Sequence, residues 1–169
     1  MLTLDSLRID MENAEKVVVG FIKGMVAGSK ADGVVLGVSG GVDSTLLAYL
    51  CVKALGKERV HGMILPDSRV TPKEDIEDSL GVVENLGINY WYKDIAEISR
   101  SYEESEFFIK DHKIALGNLR ARIRMSLLYY IANSRNLLVA GSSDRSELLI
   151  GYFTKYGDGG ADFLPIGDL

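Results

Sequence analysis

Apolar residues along the chain fall into short continuous runs and longer helical stripes that alternate from about residue 13 to residue 140. Between Asn13 and Val26, Val17, Val18, Phe21, Ile22 and Met25 recur at helical spacing and predict an amphipathic first helix, ended by the stretch from Gly28 to Gly33. Val34 to Val38 is a short, largely β-branched run, Ser39 to Gly41 a small-residue turn, and Ser44 to Leu55 an apolar helix closed by Gly56. The strand signal returns at Val60 to Leu65. Thr71-Pro72-Lys73-Glu74 then combines an N-cap, a proline at the first helical position and a capping-box glutamate, opening a helix that runs to about Leu86. Ile88 to Tyr92 predicts a third strand and Ile95 to Glu104 a further helix. Asn118 to Ser134 predicts a longer helix with Leu119, Ile123, Leu127 and Ile131 as its buried stripe, and Leu137 to Ala140 a fourth strand.

Strands that are continuous apolar runs and alternate with helices indicate an α/β fold, a parallel sheet covered on both faces. In such sheets ligands bind beyond the carboxyl ends of the strands, which directs attention to the loops after Val38, Leu65, Tyr92 and Ala140. No internal repeat or low-complexity linker divides the chain, so residues 1–169 are expected to form one domain. From Gly151 onward the pattern dissolves into a glycine-rich loop, and no closing helix follows before Leu169. The expectation is a domain whose C-terminal part is missing.

Composition narrows the classes. Nineteen Lys and Arg against 24 Asp and Glu leave a net charge of -5. That balance argues against a nucleic-acid coat or an anionic membrane surface, and any anionic ligand must find a local basic site. No apolar run approaches the ~20 residues of a membrane helix, and Met1 to Asp10 carries no signal-type stretch. A cytoplasmic protein is expected, in line with a single cysteine, Cys51, set mid-helix among apolar neighbours. His61 and His112 are too far apart to suggest a metal pair, and Trp91 at a strand end reads as packing.

The segment Gly37-Val38-Ser39-Gly40-Gly41-Val42-Asp43-Ser44 lies between the first buried strand and a helix. Its glycines let backbone N–H groups approach an anion, the helix aims its positive end at the same place, and two hydroxyls add donors. Triphosphate fits this loop. It is not a Walker A loop, since no Gly-Lys-Ser/Thr follows, nor a G-x-G-x-x-G fingerprint. Asp43 would repel phosphate unless a Mg²⁺ ion sits between them, and Mg²⁺ is commonly held by one or two carboxylates plus phosphates. The plain alternative is that Asp43 only caps the helix.

This Ser-Gly-Gly-Val-Asp-Ser motif resembles the signature of the ATP pyrophosphatases, which cleave ATP between its α and β phosphates to adenylate a substrate oxygen. Further on come Gly117-Asn118-Leu119-Arg120-Ala121-Arg122-Ile123-Arg124, Gly141-Ser142 through Glu147, and Gly151-Tyr152-Phe153-Thr154-Lys155-Tyr156-Gly157-Asp158-Gly159-Gly160 with Asp162 and Pro165. With the loop, these look like the NAD synthetase family, over the chain from about Val34 to its end. The resemblance implies a Rossmann-like fold of the adenine nucleotide alpha hydrolase type. It also implies the amidation of nicotinic acid adenine dinucleotide (deamido-NAD) to NAD, with ATP as co-substrate and ammonia as nitrogen source. Carried over residue by residue, Gly37, Val38, Ser39, Gly40, Gly41, Val42, Asp43, Ser44 and Ser142 would bind ATP. Asp43 and Glu147 would be catalytic Mg²⁺ ligands, and Arg122, Lys155 and Asp162 would hold deamido-NAD. The resemblance further implies a homodimer. Family members usually carry Thr where Ser142 stands and continue past Pro165 to Leu169 with further ATP contacts.

From the residues alone other readings stay open. Glu147 reads more readily as an exposed helix carboxylate than as a ligand, Lys155 equally as a mobile surface charge, and Arg120, Arg122 and Arg124 as a solvated face. Residues two apart point away from each other on a helix, so Arg122 is aimed apart from the Arg120 and Arg124 pair. The alternatives in function are another ATP pyrophosphatase, such as a tRNA thiolase or GMP synthetase, or a truncated, non-catalytic ATP-binding module.

Overall fold

In a computed structural model, which describes residues 9–109 and 112–169, the alternation of the sequence becomes a four-stranded parallel sheet with strand order β3-β2-β1-β4. The strands are β1 (Gly33–Gly37), β2 (Val60–Ile64), β3 (Asn89–Tyr92) and β4 (Leu137–Val139). The helices are α1 (Met11–Ser29), α2 (Val42–Leu55), α3 (Lys73–Leu86), α4 (Ala96–Glu103), α5 (Lys113–Arg135) and α6 (Arg145–Ile150). The chain reverses its direction of strand addition between β3 and β4, so the crevice at the carboxyl ends of β1 and β4 is the topological switch point. Each face of the sheet has its own core. On one side α1, α2 and α3 bury Ile22, Leu36, Leu47, Cys51 and Val83; on the other α4 and α5 pack over Val35, Met63, Ile95, Ile123 and Val139. None of the described helices is long and apolar enough to cross a membrane.

Several expectations shift in detail. The buried stripe of α1 is Val18, Ile22 and Val26, whereas Val17 and Phe21 are exposed. Valine and phenylalanine at i and i+4 suit either of two adjacent stripes, and contact with α2 selects the one rotated by a residue; Phe21 instead meets Phe163 edge-on, with ring centroids 6.0 Å apart. Thr71 does not cap α3. Its Oγ1 accepts from the Asp67 N–H at 3.1 Å and so closes the preceding turn, leaving Pro72 to open the helix. Helix α5 begins before Asn118, at Lys113, because His112 caps it: Nδ1 accepts from the Ala115 N–H. The third strand is largely exposed, unlike the continuous burial its apolar run suggested, because it is the sheet edge and is paired only with β2. Trp91 packs as expected, against His61 and beneath the Arg135 guanidinium. Of the lead Met1 to Asp10, residues 1–8 lie outside the described part.

Beyond β4 the chain is more ordered than its glycines suggested. Asp144 caps α6 through a bond from the Glu147 N–H, and Gly151 ends that helix with positive φ. Phe163 then forms a parallel bridge with Ala140, extending the sheet edge at the crevice.

Candidate active site

The loop from Gly37 to Ser44 is held by its own hydroxyls. Ser44 Oγ donates to the Gly41 carbonyl, Ser39 N–H donates to Ser44 Oγ, and the two serine hydroxyls lie 3.1 Å apart. Gly40 has φ +82, and a Cβ there would stand 2.6 Å from the Asp75 carbonyl oxygen, so position 40 needs glycine for both conformation and space. Gly41 is the N-cap of α2 and supplies no capping side chain. The first intrahelical bond comes from the Thr45 N–H, which leaves the N–H groups of Val42, Asp43 and Ser44 without helical acceptors. Asp43 sits in the first turn, half-buried, and is not the cap.

The loop borders a cavity of about 550 Å³. Gly37, Val38, Ser39 and Ser44 line it from β1 and the loop, Met63 to Pro66 from the end of β2, and Val139 to Ser142 from the end of β4. Asp75 and Ser79 of α3, Arg124 and Leu128 of α5, and Gly157 to Ala161 of the C-terminal segment close it. Thus the structure brings Ser142 to the same cavity as the loop. Asp43 and Glu147 lie in the first turns of α2 and α6, the helices that follow the paired strands β1 and β4. Neither carboxylate has a side-chain hydrogen bond or ion pair among the described residues. These residues contain no group of three or more His, Cys, Asp or Glu side chains placed to hold a metal, so a cation here would need ligand oxygens to complete its shell.

Of the residues carried over for the dinucleotide, the structure brings Arg122 and Lys155 together and places Asp162 apart from them. Arg122 Nε donates to the Lys155 carbonyl at 3.1 Å, and Lys155 Nζ lies 5.0 Å from the centre of the Tyr156 ring. Both cations are exposed. Asp162 is tied to the fold instead: Oδ2 accepts from the Val139 N–H at 2.7 Å and Oδ1 from the Tyr129 hydroxyl at 3.1 Å. Burial, then the nearby Asp162 charge, pushes the Tyr129 phenol up to about 12.

The arginines of α5 divide as helical geometry requires, but two of them are not a solvated face. Arg120 Nε donates to Asp67 Oδ2 at 2.6 Å, and Arg124 Nε donates to the Leu65 carbonyl at 2.8 Å. Asp67 is the center of a network that sequence reasoning missed. Its side chain is fully buried, and Arg69 holds it with Nε on Oδ1 and Nη2 on Oδ2 while also reaching Glu103 at 2.9 Å. Hydrogen bonds from Arg69, and then from Arg120, hold the Asp67 carboxyl well below the usual carboxylate range against the opposing effect of burial. Arg69 lowers Glu103 in the same way. Burial pushes Asp94 upward, but bonds from the Ser68 and Ala96 N–H groups outweigh it and leave the carboxyl below its ordinary range. The one available signal was local: Asp67 and Arg69 sit in the loop after the second strand, where α/β sheets place functional side chains.

The parallel sheet, the phosphate-type loop and the switch-point cavity together define a Rossmann-like fold of the adenine nucleotide alpha hydrolase type. The model of the family described as NAD synthase matches residues 14–169, and the chain belongs to that family. It is 53% identical over 165 residues to the NH(3)-dependent NAD(+) synthetase of Staphylothermus marinus, covering 98% of this chain and 60% of the relative. It is 56% identical over 160 residues to the protein of the same name from Archaeoglobus fulgidus, covering 93% and 64%. Among solved structures, the NH3-dependent NAD synthetase of Campylobacter jejuni superposes with a TM-score of 0.88 at 41% identity, over 96% of this chain and 69% of that one. The chain therefore spans about three fifths of the length of these curated relatives.

Proposed function

We propose that the chain is the ATP-binding portion of an ammonia-dependent NAD synthetase and that residues 1–169 act as one domain. The observation that carries the reading is the convergence of Gly37, Val38, Ser39 and Ser44 of the loop with Ser142 on one cavity at the switch point, in a chain of this family. ATP lies with its phosphates against the loop, where the N–H groups at the start of α2 and the Ser39 hydroxyl supply donors and Ser44 braces the loop. Two half-buried carboxylates without side-chain partners among the described residues, in the first turns of the helices that follow adjacent strands, suit a Mg²⁺ ion that would take its other ligands from phosphate oxygens. Asp43 and Glu147 would hold it. When bound, the ion supplies charge neutralisation to the phosphates. Arg122, Lys155 and Asp162 hold deamido-NAD, with the exposed cations offsetting its pyrophosphate charge.

The chemistry is then positioning and electrostatics. A nicotinate carboxylate oxygen attacks the α-phosphorus, the bond to the β-phosphate oxygen breaks, and pyrophosphate leaves. Ammonia adds to the acyl carbon and loses a proton, and AMP departs with the former carboxylate oxygen. A homodimer in the cytoplasm completes the reading. The test is pyrophosphate release from ATP with Mg²⁺ and ammonium present and deamido-NAD added or omitted. Release that requires deamido-NAD and disappears in Asp43→Asn supports the synthetase; release that ignores deamido-NAD sinks it in favour of another ATP pyrophosphatase. ATP bound without any release would indicate a non-catalytic ATP-binding module.

A further inference from the structure

The cavity wall carries two carboxylates, Asp75 and Asp158, and one basic side chain among the described residues, Arg124. A polyanion entering such a space meets repulsion unless that cation faces it. The neighbouring guanidinium groups are already committed: Arg120 is bonded to Asp67, and Arg69 to Asp67 and Glu103. Arg124 has no ion pair among the described residues; its Nε donates to the neutral Leu65 carbonyl, which fixes the plane of the guanidinium. Nη1 and Nη2 have no protein partner among the described residues. They are not sealed away, because the one solvent-excluded side-chain polar atom without a partner among the described residues is His61 Nδ1. Arg124 is half-buried and lines the cavity, which is the open space beside it that an anion could enter.

Position along α5 agrees. Leu128 lies against Gly37, the last residue of β1, with its Cδ1 3.9 Å from where a Cβ would stand. The end of α5 leads directly into the start of β4, so the helix runs toward the amino ends of the strands. Arg124, one turn earlier, therefore stands beyond the carboxyl ends of the strands, on the cavity that the phosphate-type loop also lines. Burial, with the nearby Arg120 charge, lowers its pKa against the opposing pull of Asp67, whose oxygens are already bonded to Arg69 and Arg120.

We infer that Arg124 is a phosphate-binding residue of this cavity, its two Nη atoms donating to the phosphate chain of the bound ATP. The inference rests on the ATP reading above and adds a contact to it. Calorimetric titration of the unsubstituted chain and of Arg124→Gln with ATP, adenosine and deamido-NAD, each with Mg²⁺, tests it. A charge-assisted pair lost from the cavity should weaken ATP by roughly 10- to 100-fold, leaving adenosine within about twofold. Arg124→Lys should recover part of the loss, since it restores the charge without the fork. If the glutamine variant does not fold, the labelled Arg124 Nε–Hε resonance of the unsubstituted chain should shift with ATP and not with adenosine. Unchanged ATP affinity, an unmoved resonance, or equal weakening of ATP and adenosine overturns the contact alone. Loss of deamido-NAD with ATP intact overturns the assignment to ATP. If the unsubstituted chain binds no ATP, the nucleotide reading falls and this inference falls with it.

Discussion

Replacing Asp67 with alanine removes the anion that two arginines share in the wall of the cavity. The Asp67 side chain is fully buried, whereas the side chains of Arg120 and Arg69 retain 15% and 27% exposure. Breaking a buried ion pair from one side costs about 3–5 kcal/mol because the orphaned charge stays desolvated. Partial access of water to both guanidinium groups places this case near the lower end, about 3 kcal/mol. For a chain of this length that corresponds to a melting temperature lower by about 6–12 °C. The pH dependence follows from the lowered Asp67 pKa. Its stabilisation is fully present above the unfolded carboxyl value of about 3.9, and is lost as pH falls from there toward the lower folded value. Urea denaturation of both proteins, followed by circular dichroism at several pH values, reads the difference. The gap should be constant from pH 7 to pH 5 and shrink below about pH 4, by at most about 1.4 kcal/mol per pH unit. A gap below about 1 kcal/mol at pH 7, or one as large at pH 3 as at pH 7, would refute the reasoning.

Three shorter predictions follow from local geometry. Gly40→Ala combines a positive φ with a Cβ only 2.6 Å from the Asp75 carbonyl oxygen; it should weaken ATP binding at least tenfold in calorimetry, with α2 otherwise intact by circular dichroism. Cys51 is wholly buried and its thiol is pushed up to about 12 by burial, so a disulfide reagent at pH 8 should label the native protein no faster than the protein unfolds, and label it at once in urea. Asp162→Ala deletes the acceptor of the Val139 N–H and the Tyr129 hydroxyl, and should cost about 2 kcal/mol in urea denaturation. The same variant should bring the Tyr129 titration, read by phenolate absorbance, down from about 12.

What could be read in the residues was whatever depends on neighbours in sequence. Val34 to Val38 followed by Ser-Gly-Gly-Val-Asp-Ser encodes a strand, a tight loop and a helix within one stretch, and the structure forms them there. The alternate aiming of Arg122 and the Arg120 and Arg124 pair follows from helical periodicity, and it too is present. The destination of that pair was not legible, because Asp67 is 53 residues from Arg120 and Leu65 is 59 from Arg124. A charged residue on a helix reads as solvated until its partner is known. The same holds for α1, where Val17 and Phe21 match the period as well as Val18 and Ile22, and only the placement of α2 selects between them. Thr71 illustrates competition at short range: a hydroxyl suited to cap a helix instead closed the turn from Asp67.

On the proposed function, ATP activates the carboxylate of a bound dinucleotide at the cavity bordered by the Gly37–Ser44 loop. Supplying deamido-NAD labelled with ¹⁸O in the nicotinate carboxylate, together with ATP, Mg²⁺ and ammonium, and weighing the products by mass spectrometry tests it directly. Adenylation predicts one labelled oxygen in the AMP phosphate, none in pyrophosphate, and NAD that keeps the other. Label in pyrophosphate or inorganic phosphate, or AMP formed without label, would contradict it.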